Sequence, residues 1–348
     1  MTSDPVARYL AGRGARLGRT ERLRPMTSGE VIDMALRAYR NLCWTYLRLT
    51  LAPSVFSLAG IAFVLYSVLP SLLVTHHAND TTAQLGEAAV TLSLGFFIGA
   101  PLVLIGMSFT CASVVELTSD FMLGNDIRPS HALRVAKETV GTLILVALRE
   151  LFLAASGVIV SALIMGLGAL VSNYIKSDDS PWGGLLLILG GAGMAAGVGL
   201  FLYIMAIHSL APVVAVLEKV KGNAAARRSK QLLRGAGIHP PGTGAIFSVY
   251  VFLGLIGLLE WLGLYMIFIL LQLDQHLGDL FAGLPFQGVF ELAGKLLPPF
   301  IAVWTMMPVW AACVTIVYYE RRIRLEGFDI EALAAEIGKE GGKGRFDV

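Results

Sequence analysis

Six stretches of the chain carry apolar residues almost without interruption. They are residues 51–74, about 88–116, about 151–173, about 184–217, about 244–272 and about 296–319. A helix needs about 20 apolar residues to cross the hydrocarbon core of a bilayer. Each of the six meets that length, and no other window does. The pattern predicts six transmembrane helices. The second and fourth runs exceed the minimum by many residues. They must tilt, kink or extend beyond the bilayer, and Pro101 and Pro212 mark the expected kinks.

Between the spans lie segments too polar to cross. Residues 29–50 precede the first span and contain MALRAYR (34–40). Residues 130–150 precede the third and contain HALRVAKE (131–138). Residues 223–235 (NAAARRSKQLLRG) precede the fifth. In 31–40, Val31, Met34, Ala35 and Tyr39 share one helical face, while Arg37 and Arg40 reach water. This pattern predicts basic amphipathic helices lying in the membrane interface. Arg37, Arg40, Arg134, Arg149, Arg227 and Arg228 would then rest on anionic lipid head groups. The plainer alternative is that these openers extend the spans out of the membrane.

The openers recur. Arg37, Arg134 and Arg227 are 97 and 93 residues apart. The exits from the second, fourth and sixth spans also resemble one another: ASVVEL (112–117), APVVAVLE (211–218) and CVTIVYYE (313–320). Glu116, Glu218 and Glu320 close these exits at a separation of 102 residues each time. Two features at one period predict three repeated helical hairpins, over about 29–128, 129–222 and 223–320. The flanks divide off as a disordered basic tail at 1–28 and a C-terminal tail at 321–348. Within the latter, residues 328–340 can form a short amphipathic helix that docks on the openers or a partner.

Composition agrees with the spans. Hydrophobic residues make up 55% of the 348 and charged residues 15%, with a mean hydropathy of +0.69. A soluble domain carries about 25% charge, so a soluble globular enzyme is excluded. Cys43, Cys111 and Cys313 fit neither a disulfide framework nor a metal site. The N-terminal segment has no apolar run that would act as a signal peptide.

Where the charge falls changes the picture more than its amount. Of the 27 basic residues, 25 lie before span one, between spans two and three, between four and five, or after span six. Only Lys176 and Lys295 lie on the other side. The positive-inside rule then places both termini in the cytoplasm. The expected location is the bacterial cytoplasmic (inner) membrane.

Three stretches resemble a bacterial family of six-span proteins. They are LRPMTSGEVIDMALRAYRN (23–41), LAPVVAVLEKVKGNAAARRSKQLLRG (210–235) and YYERRIRLEGFDIEALA (318–334). The chain looks like the membrane domain attached to some glycerophosphoryl diester phosphodiesterases. That resemblance implies the six-span topology. It does not imply phosphodiesterase activity, because only about 28 residues follow the sixth span and the catalytic domain is expected to be missing.

The chain contains no His-Glu-x-x-His motif, no G-x-S-x-G elbow, no P-loop and no dinucleotide fingerprint. No metal or cofactor is expected, and no nucleic-acid partner. The adjacent pair His76-His77 reads as an exposed outer loop. Glu260 stands out, in the middle of span five within GLIGLLEWLGLY (254–265). A charged carboxylate at that depth costs about 2.5–3.5 kcal/mol unless it is partnered, neutral or beside water. It marks either a proton or substrate site or a hydrogen bond between helices. Gly254 and Gly257 would let a neighbouring helix approach it. His208, four residues before Pro212, is a second candidate polar site. Arg149 and Glu150 point about 100° apart on a helix, so they are not expected to pair. Gly95 with Gly99, and Gly193 with Gly197, are small-residue pairs suited to helix packing.

The leading functional expectation is a non-catalytic scaffold or accessory protein of the cell envelope, bound to membrane lipids, with a protein partner or a second copy as open alternatives. One alternative is a transporter or lipid-handling protein with a site around Glu260. Another is an intramembrane enzyme.

Overall fold

The structure is a computed structural model that describes residues 23–73, 95–174, 181–234, 243–272, 276, 287–328 and 330. Among the described residues the chain is helical, with no strand. Six helices are long and apolar enough to cross a membrane. The protein is therefore an all-α, multi-pass membrane protein. Expectations for His76-His77, for most of the 328–340 helix and for the outer loops fall outside the described residues.

Helices α1 (Ser28–Leu73) and α3 (Pro129–Tyr174) each have 46 residues. At 1.5 Å per residue each is about 69 Å long, roughly twice the hydrocarbon core of about 30 Å. The first two basic openers are thus the leading halves of spanning helices. This corrects the expectation of separate interfacial helices at these two places. The reason lies at the junctions: neither residues 41–51 nor 141–151 contain a proline or a turn sequence. The third opener is a separate helix, α6 (Asn223–Arg234). Gly235, Gly237, Pro240, Pro241 and Gly242 follow it in the sequence, a run of glycine and proline that disfavours helix. Helix α7 then runs Thr243–Leu270.

The start of α1 is fixed by a reciprocal cap. Glu30 N–H donates to Thr27 Oγ1 (3.4 Å), and Thr27 N–H donates to Glu30 Oε2 (2.8 Å). Leu23 and Met26 just before it are buried, so the end of the expected disordered tail belongs to the packed body. Helix α2 (Ala100–Leu123) follows a π-helical turn at Gly95–Gly99, with Pro101 in its first turn. It ends at Gly124, whose φ of 65° suits a residue without a Cβ. The fourth span is broken into α4 (Pro181–His208) and α5 (Ala211–Leu217), with Pro212 in the first turn of α5. The fourth span thus breaks just before Pro212, whereas at Pro101 the π-helical turn runs directly into α2 without a break; a proline lacks a backbone donor and suits a first turn. Helix α8 (Gln287–Glu326) stays continuous through Pro298, Pro299 and Pro308.

Helices pack as consecutive pairs: α1 on α2, α3 on α4 and α7 on α8. Helix α8 also lies against α1 and α2, and α2 against α3. Glycine sets two crossings. A Cβ on Gly60 would sit 2.6 Å from the Gly99 carbonyl oxygen, and one on Gly197 2.9 Å from the Gly157 carbonyl carbon. Only bare backbone fits there. Gly254 has open space, and Gly257 makes only ordinary contact with Met306. The expected close approach beside Glu260 is absent.

The buried core sits at one end of the bundle. It joins Val31, Ala38 and Tyr46 of α1 to Val114, Leu117 and Met122 of α2. Ala132 and Val146 of α3, Val214 of α5, Leu232 and Leu233 of α6, and Ile316 and Tyr318 of α8 complete it. This end also carries the basic openers. The far halves of α3, α4 and α7 instead present Phe152, Leu163, Ile188, Leu202, Leu259 and Leu270 outward. Apolar side chains facing outward on spanning helices are what lipid solvation requires.

Candidate functional site

The basic end is closed by a network built on α8. Its last turns, ERRIRLE (320–326), reach every neighbouring segment. Arg321 Nε donates to the Leu232 carbonyl of α6 (2.9 Å). Arg324 Nη2 donates to the Met26 carbonyl (2.9 Å) and its Nε pairs with Glu320. Arg228 of α6 donates to Glu218 (3.2 Å) and pairs through Nη2 with Glu326 (2.5 Å). Arg322 holds the other oxygen of Glu326 (2.9 Å), and Tyr318 O–H donates to Glu218 (2.9 Å). Burial works against the Arg228 charge, but Glu326 and Glu218 outweigh it and raise its pKa.

The three exit carboxylates share a role. Glu116 lies 3.3 Å from His131 at the start of α3. Glu218 binds Arg228 of α6, and Glu320 binds Arg324. Glu116 and Glu218 each face a basic side chain from the segment that follows, while Glu320 pairs within α8 itself. Tyr46 with Thr118 (2.8 Å) and Ser119 with Tyr319 (2.6 Å) tie α1, α2 and α8 together beneath this layer.

Among the proposed lipid-contact arginines, Arg40, Arg134 and Arg227 are exposed. Arg37 is exposed and pairs with Asp33 (3.1 Å). Arg228 is different, because the network above consumes its guanidinium. A groove of about 560 Å³ lies between α6 and the end of α8, bordered by Arg227, Arg228, Lys230, Arg234 and Glu326.

Glu260 sits on α7 and accepts a hydrogen bond from Thr305 Oγ1 of α8 (2.6 Å). Its Oε2 is buried without a partner. It borders none of the four cavities described for the molecule. His208 ends α4, is buried, and leaves Nδ1 unpartnered. Arg149 has a buried, unpartnered Nη1 and lies near enough to act electrostatically on both Glu150 and His208. No ion pair joins Arg149 to Glu150 among the described residues. The structure does not bring Glu260 and His208 together in one site.

Sequence reasoning missed Glu150 as a buried group. It lines an apolar cavity of about 390 Å³ with Met107, Cys111, Ala147, Met205 and Trp310. A readable signal was present. Leu143, Val146, Glu150 and Ala154 recur at helical spacing, and all four are buried. Thr305, the donor to Glu260, gave no such signal. No group of metal-ligating side chains occurs among the described residues.

Comparison with known proteins adds little chemistry. A family model described as "Domain of unknown function (DUF8558)" matches residues 186–262. That stretch runs from α4 through α5 and α6 into α7, and includes His208, Arg228 and Glu260. No curated protein and no solved structure matches the chain. The chain is thus similar, over under a quarter of its length, to a family without an assigned role.

Proposed function

We propose that this protein is a non-catalytic scaffold or accessory component of the bacterial cytoplasmic membrane, with its basic end and both termini in the cytoplasm. The observation that carries this reading is the contrast between the two ends of the bundle. The buried core gathers at the basic end, beside a groove lined by Arg227, Arg228, Lys230 and Arg234. The other halves of the helices face outward with apolar side chains. Such a body is anchored in lipid and offers a rigid cationic surface to anionic head groups. The likeness to the membrane domain of glycerophosphoryl diester phosphodiesterases fits this reading as a six-span architecture.

A threefold repeat of hairpins belongs to the same proposal. In each pair the second helix is about half buried (50%, 44% and 56%), and the first is far less so (22%, 17% and 6%). This alternation supports three equivalent units with their second helices inward. A transport site at Glu260 is less well supported, since its carboxyl is engaged by Thr305 and borders no described cavity.

The test is thermal stability in nanodiscs of defined lipid. Replacing part of the phosphatidylcholine with phosphatidylglycerol should raise the melting temperature. The triple variant Arg227→Ala, Lys230→Ala, Arg234→Ala should lose most of that gain and keep its stability in phosphatidylcholine. Equal response of variant and parent would sink the lipid-contact role. Reporter fusions at residues 80 and 230 should read outside and inside respectively.

A further inference from the structure

Glu150 is the least explained group in the molecule. It is 6% exposed, and its Oε1 has no hydrogen-bond partner. An unpaired buried polar group carries a desolvation cost that a partner would remove. Apart from Ser108 the rest of the cavity it lines is apolar, with Met107, Cys111, Ala147, Met205 and Trp310 among its walls. A largely apolar lining with one convergent polar group is the pattern of a small-molecule site, and about 390 Å³ lies within the usual range of about 300–1,000 Å³.

Depth narrows the class of ligand. The part of α3 after Glu150 supplies about 36 Å of helix, slightly more than the hydrocarbon core of about 30 Å. Glu150 therefore stands at the boundary between head groups and acyl chains. The cavity is open at its edge, where Met107 and Leu151 are exposed toward the surrounding lipid. A ligand there enters from the bilayer, with its polar end at Glu150 and its chain along the apolar wall. A carboxyl oxygen left without a partner needs a donor, and a cationic donor fits best because it also stabilises the ionised form of the acid.

We infer that the cavity between α2, α3, α4 and α8 is a binding site for a long-chain amphiphile with an ammonium head, held at Glu150. This inference does not depend on the anionic-lipid contacts of the basic groove. The ammonium head has two sources, an aminophospholipid of the membrane or a free alkyl amine.

The test uses the full chain in phosphatidylcholine nanodiscs with a twelve-carbon primary amine bearing a chain diazirine. After photolysis, saturable labelling should map to the stretches around Met107, Ala147 and Trp310. Glu150→Gln should weaken half-saturation at least tenfold, with melting temperature and helicity retained. Ala147→Leu, which fills the cavity without touching the carboxyl, should abolish labelling. Competition by phosphatidylethanolamine would assign the site to a membrane lipid, and competition by dodecylamine alone to a free amine. Either supports the site. Labelling spread over the outer faces of the helices overturns the inference. So does an unchanged Glu150→Gln, or equal labelling by the corresponding alcohol probe, since a water would then suffice for the carboxyl.

Discussion

Thr305 decides what Glu260 is. Its hydroxyl donates to Glu260 and also approaches the carbonyls of Ile301 and Ala302 (2.9 and 3.1 Å). The carboxyl thus meets a side chain fixed to its own helix. Hydrogen bonds between spanning helices contribute about 0.6 kcal/mol on average, and stranding a buried acceptor costs about 1–3 kcal/mol. Thr305→Val should therefore destabilise the protein by about 1–2 kcal/mol in a detergent unfolding titration. Glu260→Gln keeps an acceptor for Thr305 and should change stability by less than about 0.5 kcal/mol. A large loss with Glu260→Gln would mean that the charge itself is needed. Glu260 was legible in the sequence because it interrupts an apolar run. Glu150 was harder to recognise: it borders a polar segment, and only its helical spacing with Leu143, Val146 and Ala154 marks it. Its burial is created by α2, α4 and α8, which arrive from distant parts of the chain.

Helix continuity depended on what separates an opener from its span. Three similar basic segments became two helix extensions and one separate helix, and only the glycine- and proline-rich stretch after residue 234 distinguishes them. Propensity and periodicity located the spans and the break at Pro212. They marked Gly99, Gly193 and Gly197, which do pack closely, but not the partners Gly60 and Gly157, because an isolated helix carries no record of its neighbour. Gly60 and Gly99 meet backbone to backbone, whereas Gly141 and Gly254 meet nothing within 4 Å. The contrast gives a paired expectation. Gly60→Val must displace Gly99 and Val103, and overpacking of that kind costs about 1–3 kcal/mol. Gly141→Ala, in the middle of α3 with open space, should be neutral or stabilising by up to about 1 kcal/mol through helix propensity. Melting of the two variants in one lipid checks both. Similar effects at the two positions would contradict the α1–α2 crossing.

At the scale of the whole molecule, α6 joins several elements with only 12 residues. Among the described residues it is the opener that forms a helix of its own, and side chains hold it. Ser229 Oγ donates to the Ile207 carbonyl (2.8 Å), Leu232 and Leu233 are buried, and Arg228 bridges Glu218 and Glu326. Arg228 is thus the node that joins the exit of the second hairpin to the exit of the third. Removing it does not strand either carboxylate entirely: Tyr318 still donates to Glu218, and Arg322 still pairs with Glu326. The pairs are about one-quarter exposed (28% for Arg228, 23% for Glu218 and 28% for Glu326). Their loss therefore lies between the 3–5 kcal/mol of a broken buried pair and the roughly 0–1 kcal/mol of a surface one. Arg228→Ala should cost about 1–2 kcal/mol of global stability. Its local effect should be larger, because only Ser229, the two leucines and the Arg321 bond to the Leu232 carbonyl would then dock α6. Amide exchange of residues 223–234 should rise by at least tenfold, while exchange in α2 and the core half of α8 stays unchanged. Arg228→Lys should rescue only part of this, since an ammonium cannot reproduce the fork that spans two carboxylates. Uniformly faster exchange across α2, α6 and α8 would instead mean that the basic end unfolds as one unit and that α6 is not held separately.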